Sequence, residues 1–185
     1  MDVWAAPLQG WSAVHEGRHN EGLQCIESAL TEARSSGSNS FVPYSLGLYA
    51  ECCLIARRTR DADNAITEAF AIVSQTGERF WEAELLRLQG EIELGRSGGA
   101  CVDPQIETTF LTAIHVAQRA GARVLVLRAT RSLAKFYDCL GRGNDGRRIL
   151  ASAQSEFSEG FSSEDKQILE FLLREQDVGD PCIEG

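Results

Sequence analysis

Proline is scarce in this chain, four residues in 185. So few of them leave long stretches free to coil into helices, where a proline would remove a backbone donor. Long apolar runs are missing as well. None approaches the roughly 20 residues that a helix needs to span a bilayer, so no membrane partner is expected. Positive charge is in deficit: 18 Lys and Arg stand against 27 Asp and Glu, a formal net charge of −9. That balance argues against nucleic acid as the main partner, because neutralising phosphates takes a basic face. Histidine is rarer still. His15, His19 and His115 are too scattered for a metal site, since His15 and His19 are four apart but straddle Gly17.

Motifs for catalysis are absent in the same way. The chain has no G-x-x-x-x-G-K-[ST] phosphate loop. Gly95-Arg96-Ser97-Gly98-Gly99 is glycine-rich but lacks the lysine and spacing of a phosphate cradle, and it predicts a loop. Catalysis, metal and cofactor are therefore all expected to be absent. Six cysteines include no C-x-x-C, and Cys52 and Cys53, being adjacent, cannot readily pair. Cys25, Cys52, Cys53 and Cys139 fall within helical apolar patterns, where a free thiol behaves as a small hydrophobe. Met1-Asp2-Val3 shows no basic stretch leading into an apolar one. With reduced thiols, that predicts a cytoplasmic protein.

What the chain does contain is a series of amphipathic patterns with a period of 3.6. They predict helices over about 3–15, the stretch ending near Ser35, 41–56, 61–75, 78–94, 104–119, 123–140 and 143–157. In the third, Phe41, Tyr44, Leu48, Cys52 and Ile55 form one stripe. In the fifth, Ala83, Leu85, Leu86, Leu88, Gly90 and Ile92 form the buried side, leaving Glu82, Glu84, Arg87, Glu91 and Glu93 to water. Gly90 inside that helix suggests a close neighbour, since glycine there costs about 1 kcal/mol against alanine.

Small residues recur in these patterns. Gly10, Ala50, Gly90 and Ala134 lie 40, 40 and 44 residues apart, and Ala29, Ala69, Ala113 and Ala153 lie 40, 44 and 40 apart. A bulky apolar residue stands three before each of the second set: Ile26, Ile66, Phe110 and Leu150. One hairpin cannot bury its own faces, but stacked hairpins make a continuous core. Leu133, Ala134, Tyr137, Gly141, Gly146, Leu150 and Ala153 follow a spacing that resembles the tetratricopeptide repeat. The resemblance implies an all-α right-handed superhelix of four such hairpins. The expected repeats are about 1–38, 39–76, 77–120 and 121–160, with a capping helix over 163–175 closing a domain that ends near 176, and a disordered tail over 177–185.

Longer phrases carry a second resemblance. TGERFWEAELLRLQGEIEL, ARVLVLRATRSLAKFY, GRGNDGRRILA and FSEGF are similar to the helical-repeat region near the C-terminus of large bacterial signalling proteins. Those proteins join a nucleotide cyclase or a DNA-binding regulator domain to a P-loop ATPase and then to the repeats. The resemblance implies a sensor or scaffold that binds a protein or peptide, without cyclase or ATPase chemistry of its own. A rival reading is a regulatory repeat domain with a small-molecule effector in its groove.

Two surfaces are candidates for partners. Arg128, Arg131 and Lys135 share one face of the seventh helix. Matching repeat frames place Arg131 and Lys135 on the concave side of a tetratricopeptide-like array, with Arg87, Glu91 and Glu51 beside them. This strip either holds an acidic peptide or is a plain solvated face, or is covered by the acidic last helix with Glu164, Asp165 and Glu170. The other surface is the first helix, where Val3, Trp4, Leu8 and Trp11 predict an apolar edge and a homodimer through the N-terminal hairpin.

Overall fold

The computed structural model describes residues 5–35, 41–97 and 103–158. Val3, Trp4, Gly98, Gly99, the proposed capping helix over 163–175 and the tail over 177–185 lie outside the described residues. Those described form helices joined by turns, with no strand among them: α1 Ala5–His15, α2 His19–Ser35, α3 Val42–Ile55, α4 Thr59–Thr76, α5 Glu82–Ser97, α6 Pro104–Arg119, α7 Arg123–Cys139 and α8 Gly143–Ser158. The protein is all-α. No described helix is long and apolar enough to cross a membrane. The chain divides into two compact units, 1–92 and 93–185, with the division inside α5.

The first unit is built on a core of Val14, Leu23, Ile26, Leu46, Cys52, Ile66, Leu85 and Leu88, among others. α1 and α2 cross backbone to backbone. A Cβ added at Gly10 would stand 2.6 Å from the Gly22 carbonyl oxygen and 2.6 Å from Ile26 Cγ1, so only glycine fits the crossing. The small-residue rule thus extends to Gly22 and, 40 residues on, to fully buried Ala62. Cys52 and Cys53 pack in this core as free thiols. Burial raises the pKa of both, that of Cys53 to about 11, so they remain protonated near neutrality.

The second unit packs Ile106, Phe110, Leu133, Phe136 and Tyr137 together, with Leu94, Ile114, Leu140 and Ile149 against them. Here too α7 and α8 approach through a small pair, for a Cβ on Gly146 would lie 3.0 Å from the Ala134 carbonyl oxygen. α6 begins at Pro104, and its cap is Asp103, whose side chain accepts a 2.9 Å bond from the Gln105 N–H.

The turns repeat as faithfully as the helices. α1/α2, α3/α4 and α7/α8 are joined at Gly17, Arg57 and Gly141, which adopt positive φ of 85°, 58° and 70°. At each, the positive-φ residue donates to the carbonyl three back and its successor to the carbonyl five back: Val14 and Ala13, Leu54 and Cys53, Asp138 and Tyr137. That successor is an arginine every time. Arg18, Arg58 and Arg142 ion-pair at i+3 with Glu21, Asp61 and Asp145, at 2.6, 2.6 and 2.9 Å.

A clamp between successive pairs recurs as well. In the first unit the Tyr49 hydroxyl of α3 donates to Glu27 of α2, with Arg58 3.9 Å from the same carboxylate. In the second unit Tyr137 of α7 donates to Glu107 of α6 at 2.6 Å, and Arg142 lies 3.6 Å from Glu107 while covering the Tyr137 ring at 4.3 Å. Burial, with the Glu107 bond, raises the Tyr137 pKa.

Three expectations need correction. α5 begins at Glu82 rather than Glu78, because Gly77 caps α4 in the left-handed conformation and the residues after it form a turn. The same helix runs through Gly95, Arg96 and Ser97, where a loop was expected; Gly95 is exposed and a Cβ there would meet nothing within 4 Å. On α3, Phe41 and Ile55 are exposed at the two ends of the predicted stripe while Leu48 and Cys52 are buried within it.

Candidate functional site

α1, α3 and α5 each send a polar side chain to one place in the first unit. Arg87 of α5 is only 3% exposed and Glu51 of α3 only 7%, which makes them a buried pair of charges. The guanidinium approaches Glu84 through Nε at 3.1 Å and through a terminal nitrogen at 2.8 Å, the forked geometry that arginine favours. It also donates to Glu51 at 3.3 Å and to Glu91 at 3.3 Å. The other oxygen of Glu51 accepts a 2.9 Å bond from the Trp11 indole N–H. Trp11 in turn lies against His15, ring centres 4.0 Å apart.

The electrostatics follow from the count of charges. Burial by itself would lower the Arg87 pKa; the charges of Glu84 and Glu51 more than reverse that, and it stands above the ordinary arginine value. The guanidinium lies within 3.3 Å of all three carboxylates. An arginine held this way is a fixed cation rather than a proton carrier. The cluster can set the spacing of three helices.

The expectation that Arg87 faces water is overturned, since the three carboxylates make its burial tolerable. Glu51 and Glu91 join it. Trp11, expected on an outer apolar edge, is half-buried and bonded to α3. Its register was legible, because Trp11, Glu51, Glu91 and Lys135 are spaced by 40, 40 and 44 residues, the interval of the repeats. Leu8, the other described member of that edge, is 48% exposed. In the second unit Arg128, Arg131 and Lys135 are all half-buried on α7, among buried Leu127, Thr130 and Ala134.

One group escaped the sequence reading. Just before α5, Trp81 stacks on Tyr44 of α3 with centroids 4.3 Å apart, and Phe80 meets Trp81 edge-on at 5.0 Å. Phe80 itself is 72% exposed. The signal was there in Phe80-Trp81 itself, two large aromatics in succession, which cannot both face inward on one helix.

Comparison with known proteins adds one relative. No family profile matches the chain. Over 135 residues it is 25% identical to a protein of Rhizobium meliloti (strain 1021) described as uncharacterized. The matched stretch takes in 73% of this chain and 13% of that protein's length.

Proposed function

We propose that the chain is a protein-interaction module, a superhelix of tetratricopeptide-like hairpins that serves as sensor or scaffold in a bacterial signalling assembly and performs no catalysis of its own. The observation that carries this reading is the recurrence of one turn, with its positive φ, paired hydrogen bonds and arginine–acid pair, at Gly17, Arg57 and Gly141. Tandem units with a shared plan support an array whose first helices offer one continuous face to a partner. A match that covers a small fraction of a much longer bacterial protein supports a modular role as well.

The first unit carries the Arg87 cluster and the aromatic rings, and the second carries Arg128, Arg131 and Lys135 on α7. A peptide partner is favoured over a metabolite, because the polar groups of the cluster already satisfy one another. The test is crosslinking of the whole chain to partners retained from the native bacterial cytosol, with the crosslinks mapped by mass spectrometry. Crosslinks on α3, α5 and α7 that weaken with salt and with Arg131→Glu plus Lys135→Glu are expected. Crosslinks confined to α2, α4, α6 and α8, or a metabolite that raises the melting temperature while no protein is retained, would overturn it.

A further inference from the structure

The aromatic group before α5 is built unlike a core. Tyr44 and Trp81 are half-buried and stacked, which gives a rigid base, while Phe80 stands on that base 72% exposed. A large ring held in water by its neighbours is a feature of interaction surfaces, where aromatic anchors supply contact area at little entropic cost. Its surroundings are acidic. Glu82 and Glu84 occupy the first turn of α5.

The chain's own Arg79 shows what this place accepts. It is the residue before Phe80, its side chain is 75% exposed, and it reaches Glu82 at 3.4 Å. So exposed an ion pair is worth little. An incoming cation therefore displaces it easily. We propose, resting on the interaction-module reading, that Tyr44, Trp81 and Phe80 with Glu82 form a docking surface for a cationic peptide segment. An arginine or lysine of that segment lies over the open face of Phe80 and takes Glu82 from Arg79. The ring quadrupole attracts the cation, Glu82 supplies charge complementarity, and the overall charge of −9 steers a basic segment toward the protein.

The experiment uses the full chain and two labelled decapeptides, acetylated and amidated, one alternating arginine with glycine and the other glutamate with glycine. Binding is read by fluorescence anisotropy at low and moderate salt. The arginine peptide is expected to bind and the glutamate peptide not. Phe80→Ala should weaken binding about tenfold, the scale of one cation–ring contact of 1–2 kcal/mol. Phe80→Leu keeps apolar area but has no ring, and should weaken it nearly as much, whereas Phe80→Trp should restore it. Arg79→Gln should strengthen binding by removing the internal competitor. Because Phe80 and Arg79 are so exposed, circular dichroism should show all four variants folded. Arginine-peptide binding that is indifferent to Phe80→Ala, or unimproved by Arg79→Gln, overturns the proposal. Preference for the glutamate peptide, lost with Arg131→Glu plus Lys135→Glu, overturns it while leaving the interaction-module reading in place. If neither peptide binds and no protein partner crosslinks, both fall.

Discussion

Replacing Arg87 with Met would remove a cation that three carboxylates share. The flexible apolar side chain fills much of the space of the arginine stem, so the loss is chiefly electrostatic. The side chains of Glu51 and Glu84 are 9% and 12% exposed and cannot turn out to water, whereas that of Glu91, at 28%, can in part. Breaking a buried pair by removing one partner costs roughly 3–5 kcal/mol. That is a large share of the 5–15 kcal/mol typical of a whole domain. In a urea titration the variant should therefore unfold at a much lower midpoint at pH 7. The sign of the pH dependence follows from linkage. In the folded variant the stranded carboxylates have pKa values raised by burial and mutual repulsion, so the folded state binds more protons than the unfolded one. Stability then rises as pH falls, and the deficit against wild type should narrow between pH 7 and pH 5. Wild type has no such term near neutrality, because the raised Arg87 pKa leaves its contribution fully present throughout the range below the unfolded arginine value. Adding Glu84→Gln and Glu51→Leu to Arg87→Met should recover most of the loss. A deficit under about 1 kcal/mol at pH 7, or one that widens on acidification, would refute the assignment of Arg87 as the buried counter-ion.

Other consequences are simpler to read. Arg57 holds a positive φ that Gly17 and Gly141 hold at the matching turns, so Arg57→Gly should raise stability by roughly 0.5–1 kcal/mol after the entropy of the unfolded chain is counted; a lower melting temperature would contradict the turn geometry. Gly141→Val runs the same argument backwards. Nothing lies within 4 Å of an added Cβ there, so a cost of about 1–2 kcal/mol in calorimetry would be backbone strain alone. Ala69 and Ala113 are fully buried, and Leu at either should overpack its crossing at a cost of roughly 1–3 kcal/mol; denaturant midpoints unchanged in both variants would mean that the repeat frame is misplaced.

Most of the helices were legible, because small residues recurring at 40 and 44 positions mark crossings that no local propensity could show. Gly22 and Ile26 on α2, Ile66 and Ala69 on α4, and Phe110 and Ala113 on α6 all lie in the core as their pattern implied. Arg87 was misread because periodicity sorts side chains by their own polarity. Its burial depends on Glu51, which lies 36 residues away on another helix. The Trp11 bond was within reach, since tryptophan and glutamate stand one repeat apart. Phe80 was missed for a different reason: two aromatics in succession look like the start of a helix, and only Gly77 at positive φ, which ends α4 and leaves a turn before α5, sets them outside it.

The bond from Trp11 to Glu51 changes how the first unit comes apart. Linear arrays unravel from their ends, one unit at a time, because each touches only its neighbours. Glu51 stands between Trp11 on α1 and Arg87 on α5, so fraying of α1 strips a donor from a carboxylate that α5 also needs. α1 is thereby tied to the middle of the unit. α1, α3 and the first half of α5 form a single cooperative block, and their amides should exchange with deuterium at one common free energy rather than in a ladder running inward from the N-terminus.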